Sequence, residues 1–421
     1  MKFPMLKWAK DLFPLNRSLT GEGTRKTLQY FRKLNPELKI INFKSEKKVF
    51  DWVIPKEWHI KNAYIEHESG KRFAEFKKCN LHVLGYSTPV NKVISKKKLL
   101  NYIYSLSSKP DSVPYVTSYY EQRWGFCLSE NQKKKLPEGK YKVFIDSKLI
   151  NGNLEINHAV LKGKVKKEIF FSSYICHPSM ANNELSGPVL LNAIMLYIKS
   201  KYPKTKYSYR FVLLPETIGP IAYLSKFKNI MKKNILFGFN LTCVGDERAY
   251  TIINTPSENT IADQALQAAL FGLPKVKNYS FLHRGSDERQ YCSPNVDLPV
   301  CRFSRSKDFP EYHTNKDNFN VVTQKGLMQS LNVMKQIVDA CELGLYPKTT
   351  TTGEPNLGKR NLQRTISHQK NYKEKDLLLR RNLIAYANGK RNIFEIANLF
   401  KVPLNLLHEE HKLLRLNKIL K

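Results

Sequence analysis

Four segments of the sequence carry residue types that could act together on a substrate. Ser173-Tyr-Ile-Cys-His-Pro-Ser-Met-Ala-Asn-Asn-Glu-Leu-Ser-Gly187 runs from an apolar stretch into His177, then through a polar loop with Glu184 to a helix start near Ser186. Leu213-Leu-Pro-Glu-Thr-Ile-Gly219 sets Glu216 at the end of a second apolar run, and Pro310-Glu-Tyr-His-Thr-Asn-Lys-Asp317 carries His313 in a polar loop. The fourth, Gly285-Ser-Asp-Glu-Arg-Gln-Tyr291, holds Asp287, Glu288 and Arg289. Two imidazoles and one or two carboxylates meeting from separate strand ends match a catalytic zinc site, which uses three protein ligands and keeps a position for water. Such a metal lowers the pKa of its water toward about 7 and polarises a carbonyl. A further carboxylate must move the proton to the leaving amine, and Glu216 is placed for that task. Each residue also has a plainer reading: a hydrogen-bonded loop imidazole for His177, a helix-start carboxylate for Glu184, a structural imidazole for His313. The repeated strand-end position favours the site. A cysteine nucleophile at Cys176 is disfavoured, because adjacent strand residues point to opposite faces and its side chain should diverge from His177.

These residues need a scaffold, and the text around them supplies an α/β one. Glu168-Ile-Phe-Phe-Ser-Ser-Tyr-Ile-Cys176, Ser208-Tyr-Arg-Phe-Val-Leu-Leu214 and Ile235-Leu-Phe-Gly-Phe-Asn-Leu-Thr242 read as buried strands, separated by helical text at 187–198 and 218–233. Strand–helix alternation of this kind gives a sheet covered on both faces, with ligands at the carboxyl ends of its strands. Residues 24–34 place Leu28, Phe31 and Leu34 on one helical stripe. From about 50 to 155, short alternating runs between turns predict a mostly β module, in which Arg123-Trp-Gly-Phe126 reads as a packed turn in preference to a cleft wall. A polar Gly/Pro/Thr-rich stretch after Leu345 reads as a linker, and three short helices over 372–421 predict a helix-turn-helix of winged type. The domain boundaries expected are 1–50 and 155–345 for the two parts of the α/β domain, 51–154 for the inserted β module, 346–371 for the linker and 372–421 for the winged module.

The segments CHPSMANNELSGP, LLPETIG, GSDERQYCSP and EYHTNKDN resemble those of a bacterial family of aminopeptidase-like proteins, similar to zinc exopeptidases of the M28 type and often found with surface-polysaccharide gene clusters. Asn16–Gly21, Phe50–Pro55, Asn80–Ser87 and Tyr119–Cys127 resemble its other recurrent stretches, so the likeness spans nearly the whole chain. It implies an exopeptidase-like mixed sheet with helices on both faces, an inserted β-rich, jelly-roll-like domain and a C-terminal winged helix. By that resemblance His177 and His313 match the first and last metal imidazoles, and Glu216 the general base, although the exopeptidases carry Glu-Glu where this chain has Glu216-Thr217. Their bridging aspartate falls at Asn183 and a further aspartate ligand at Thr242. A neutral side chain cannot hold two cations together, so one zinc is expected, held by His177, Glu184 and His313. Asp287 is then a reserve ligand or a contact for the substrate amine, while Glu288 and Arg289 position substrate, the arginine by a bidentate grip on a carboxylate.

Composition sets the outer limits. The 421 residues suffice for two or three domains, and 11% aromatic residues exclude a disordered chain. No apolar run approaches the roughly 18 residues of a membrane span, and the first residues lack the continuous apolar core of a signal peptide. Seven scattered cysteines without a CxxC pair predict free thiols in a reducing cytoplasm. The formal net charge of +34 fits nucleic acid, an anionic surface or an acidic substrate, but the lysine runs at 96–98 and 133–135 lack interleaved aromatics and read as solvated surface. Together these predict a zinc-dependent hydrolase of amide bonds, foremost an aminopeptidase, acting on a peptide or an N-acyl small molecule, with homo-oligomers open. Two rivals stand beside it: an N-acyl amidase of surface-glycan synthesis, and an inactive scaffold whose winged helix binds DNA or a protein.

Overall fold

The computed structural model describes residues 3–363 and 374–421. Its centre is an eight-stranded mixed sheet in the order Lys39–Lys44, Asn153–Leu161, Ser208–Leu214, Glu168–Tyr174, Ile235–Leu241, Val300–Ser304, Tyr250–Ile253, Val276–Tyr279. The middle four strands are parallel, with antiparallel neighbours on either side. Every residue of Glu168–Tyr174 and Ser208–Leu214 is buried, as expected of parallel strands with both faces covered. Alternation sorts their side chains. Phe171 packs with the helices Met5–Leu12, Ser186–Lys201, Ile261–Leu270 and Gln324–Gly344 on one face, while Phe170 packs with Ile218–Asn234 on the other. No described helix is long and apolar enough to cross a membrane.

Between Lys44 and Asn153 the chain leaves this sheet and builds a β module with its own core around Ile65, Phe126 and Val143. Its main sheet pairs the long strands Glu57–His67 and Lys140–Ile150, flanked by Arg72–Phe73 and Val90–Ser95, all antiparallel. Trp124 stacks on Tyr102 at 3.9 Å, and Arg123 binds Ser118 Oγ, so this stretch is a packed turn of the module.

The C-terminal helices Glu374–Tyr386, Ile393–Phe400 and Leu404–Leu416 form the winged module. Residues 364–371 of the expected linker lie outside the described residues. Ahead of them, Lys348 and Thr349 bridge Asn388 and Leu420, and Leu357 is buried in the main core. The module packs hard on the α/β domain: Phe394 meets Phe237, Asn392 and Asn398 hydrogen-bond Gln264, and Arg415 donates to the carbonyl of Leu343. His411, on the third helix, is fully buried beside Gly344.

Candidate active site

The carboxyl ends of the four parallel strands supply the candidate groups. Glu168–Tyr174 leads through Cys176 to His177, Ser208–Leu214 to Glu216, Ile235–Leu241 to Thr242, and Val300–Ser304 through a loop to His313. His177, Glu216 and His313 line one cavity of about 340 Å³, with Cys176, Thr217 and Ile218 beside them. The two imidazole centroids are 5.6 Å apart, and His177 Nε2 lies 3.7 Å from Glu216 Oε2. A larger opening of about 460 Å³, near Pro14, Gly23 and Asp146, holds neither imidazole.

Glu184 stands behind His177. Its Oε2 is 2.8 Å from Nδ1 of the imidazole, and its Oε1 is 3.6 Å from Nε of Arg17; both side chains are fully buried. Arg17 in turn donates to the carbonyls of His177 and Leu12. An ionised carboxylate only accepts, so Nδ1 carries the hydrogen and Nε2 faces the cavity. This is the arrangement by which an outer carboxylate orients a metal-binding imidazole. Burial pulls the His177 pKa down, but the hydrogen bond and charge of Glu184 outweigh it, and the net direction is up. Glu184 itself is pushed up by burial, against the pull of His177 and Arg17.

Cys176 Sγ lies 3.5 Å from His177 Nδ1, closer than strand alternation predicted, because the strand ends at Tyr174 and the pleat no longer governs these two residues. Cys176, His177 and Glu184 are near enough to share an ion. Burial holds the thiol far above its ordinary pKa, and Sγ accepts the Glu216 N–H at 3.2 Å, which suits a structural thiol.

His313 sits at φ +55° and stacks on Tyr312 at 3.9 Å. Its loop is stitched to the inserted module: Tyr115 N–H donates to the His313 carbonyl (2.9 Å), and Val113 and Asn315 exchange two hydrogen bonds. Burial, with His177 and Lys109 adding to it, drives its pKa down to about 3, so the ring is neutral and its lone pair free.

Glu216 Oε1 accepts from Ser286 Oγ at 2.9 Å. The next residue, Thr217, has φ +65° and ψ −70°, and Ile218 N–H reaches back to the Glu216 carbonyl at 2.8 Å. That is a γ-turn of the strained hand at a β-branched residue. Asp287 Oδ1 accepts the Thr217 N–H, and Arg289 donates to Thr217 Oγ1, which fixes the turn from behind. Burial and the neighbouring Glu216 push Asp287 well above the usual carboxylate range. Glu288 is wholly buried and accepts from Gly285 N, Ser286 N and Asn240 Nδ2, bracing the turn that carries Ser286, the partner of Glu216. The trio Asp287, Glu288 and Arg289 thus stands around Glu216 and Thr217, outside the set lining the cavity.

Asn183 and Thr242, where the resemblance sets two aspartates of two-metal exopeptidases, both bond the hydroxyl of Tyr174. Burial keeps that phenol protonated. The cluster carries no charge, so it gives a second divalent ion nothing to neutralise it. The cavity-facing set is different: two imidazoles, one of them held by a carboxylate behind it, and a nearby glutamate. Among the described residues the set near enough to share an ion is Cys176, His177 and Glu184, while His313 and Glu216 face His177 across the cavity, so the two imidazoles offer two of the three protein ligands that a catalytic zinc site uses.

Residues that the sequence did not nominate form the opposite wall. Trp52, Tyr115, Thr117, Tyr119 and Tyr120 come from the inserted module. A run of aromatics in a turn-rich segment without periodicity was the available signal.

Comparison with known proteins bears on this geometry. The profile of a family described as Domain of unknown function (DUF4910) matches residues 6–344, and a winged helix-turn-helix profile matches 345–421. A Clostridium acetobutylicum protein, named provisionally as a polysaccharide biosynthesis protein with aminopeptidase-like domain, is 38% identical over 92% of this chain and 89% of its own. A crystal structure of a provisionally named peptidase from the same species superposes with a TM-score of 0.90, at 35% identity over 99% of this chain and 96% of that one. A zinc aminopeptidase from Bacillus subtilis shares the fold, with a TM-score of 0.59 at 13% identity over 80% of this chain and 93% of that one.

Proposed function

This chain belongs to the DUF4910 family, and from that premise we propose that it is a zinc-dependent hydrolase of amide bonds, of aminopeptidase type. The observation that carries the reading is the meeting of His177, Glu216 and His313 on one cavity from three strand ends. In this reading His177 and His313 hold one zinc ion, and Glu184 aligns His177 through Nδ1 instead of reaching the ion itself. Bound there, zinc supplies polarisation of an amide carbonyl and a lowered pKa for water.

The chain's own residues do the rest. Glu216 Oε2 faces His177 Nε2, takes a proton from the attacking water and returns it to the leaving nitrogen. Ser286 and the γ-turn at Thr217 hold that carboxylate in one orientation. Asp287 and Arg289 act by locking the turn. The half-buried Tyr115 and Tyr119 narrow the cavity around the reacting amide.

The relative's name joins an aminopeptidase-like domain to polysaccharide biosynthesis, and the aromatic wall favours a second reading with the same chemistry: an N-acyl amidase acting on a glycan precursor. Zinc content and amide hydrolysis of the purified chain, measured beside Glu216→Gln, test both. The variant should keep its zinc and lose about 10²–10⁴-fold in kcat; equal rates in the two proteins would end the assignment. Peptide amides compared with N-acyl amino sugars as substrates separate the two readings.

A further inference from the structure

The wall opposite His177 carries chemistry that amide hydrolysis does not require. Trp52 and Tyr120 line the cavity with ring centroids 5.8 Å apart at 65°, and they are 36% and 55% exposed. Single exposed aromatics are ordinary, but two adjoining rings on the lip of a reactive cavity mark a binding surface. Tyr120, with Tyr119, also lines a second cavity of about 230 Å³. The side chains there include Glu46, Lys56, Glu121 and Gln122, and Lys56 lies 3.4 Å from Glu46. The two lobes therefore share an aromatic floor, and the outer one offers hydrogen-bonding groups of both signs without an unpaired cluster of cations.

Three classes of ligand can be weighed against this surface. A phosphate or polyanion needs arginines or lysines free to grip it, and the lysine here is already beside a carboxylate. An extended peptide is held chiefly by backbone hydrogen bonds to a strand edge, whereas this wall offers ring faces. A hexopyranose presents an apolar C–H face to an aromatic ring and a rim of hydroxyls to amides and carboxylates, which matches both lobes. We propose that Trp52 and Tyr120 form a subsite for the ring of an uncharged hexopyranose. An amino sugar seated there directs its N-acyl group toward His177 and His313. The orientation of the acyl group rests on the amide-hydrolase reading; the ring subsite does not.

Saturation-transfer NMR on the full chain reads the subsite without turnover. The probes are N-acetylglucosamine, N-acetylgalactosamine and glucose, with the dipeptide Leu-Ala as comparison. Ring C–H protons of at least one hexose should receive saturation. Affinity should fall about tenfold in Trp52→Ala and in Tyr120→Ala, equivalent to about 1.4 kcal/mol, and should survive in Trp52→Phe and in Glu216→Gln. Both aromatic side chains are exposed, so circular dichroism of the variants should match the parent. No transfer to any of the three hexoses, transfer to Leu-Ala alone, or hexose binding undiminished in both alanine variants overturns the proposal. Hexose binding that persists in a chain without hydrolytic activity would instead sink only the amide-hydrolase reading.

Discussion

Replacing Glu184 by Gln tests what holds His177. The carboxylate is fully buried between His177 Nδ1 at 2.8 Å and Arg17 Nε at 3.6 Å, and Arg17 is fully buried too. Glutamine keeps the size and one acceptor but removes the negative charge facing the guanidinium. Breaking a buried pair by removing one partner costs about 3–5 kcal/mol, because the remaining charge is stranded. Arg17 keeps its hydrogen bonds to the carbonyls of His177 and Leu12, so the lower end, about 3 kcal/mol, applies. His177 also exchanges a charged acceptor for a neutral amide oxygen at Nδ1, a change that weakens metal affinity by about 10–100-fold. Urea unfolding followed by circular dichroism reads the first effect, and chelator-competed zinc titration the second. The double variant Arg17→Met, Glu184→Gln should recover most of the stability and little of the zinc affinity. A Glu184→Gln protein that unfolds at the parent urea concentration and binds zinc equally well would refute the reasoning. Complete loss of zinc binding in that variant would make Glu184 a direct ligand.

Further expectations concern charge, docking and the metal. Asp287 has its pKa raised on folding, so its ionisation subtracts stability as pH climbs from its unfolded value toward the folded one; Asp287→Asn should therefore gain thermal stability over the parent at pH 8 and little at pH 4, which melting curves at the two pH values will show. His411 behaves in the opposite sense: burial, then Arg415, His408 and Lys206, depress its pKa to about 3, so stability present above pH 6.5 drains as pH falls toward that value, by up to about 1.4 kcal/mol per pH unit. Hydrogen exchange of Leu404–Leu416 should accelerate between pH 7 and 5, after correction for intrinsic rates, and His411→Phe should blunt the change. Because that helix packs on Gln324–Gly344, duplex DNA at physiological salt should give no gel shift with the full chain; a shift with a steep salt slope would contradict the docked arrangement. Removing zinc with a chelator should abolish amide hydrolysis, with activity restored by one equivalent of zinc and no further gain from a second.

Much of the scaffold was legible because burial writes itself into the chain. Phe170 and Phe171 sit in a stretch apolar on both faces, which only a doubly covered strand tolerates, and the end of such a strand in an α/β sheet is where a ligand goes. That rule brings His177, Glu216 and His313 into view from the sequence. It does not reveal what faces them. Arg17 is 160 positions from His177, and nothing local in Asn16-Arg17-Ser18 announces a buried guanidinium. The strain at Thr217 is equally silent, since a threonine after a glutamate promises no positive φ. Glu288 and Asp287 are adjacent acids in one turn, yet one braces backbone amides and the other meets the next strand end; that split depends on tertiary placement. The winged module was readable as three helices, but not the burial of its third helix against the α/β domain.

The stitching of Tyr115 to His313 changes how the inserted module should be regarded. Pro114 and Thr314 pair like a fragment of antiparallel ladder, so the excursion from the sheet returns to grip the very loop that presents an imidazole. Trimming that excursion to a tight hairpin would leave the strands intact and release the loop that carries His313. Whatever opens or tilts the module, a crowded substrate included, pulls on that imidazole directly, so the module is a lever on the cavity.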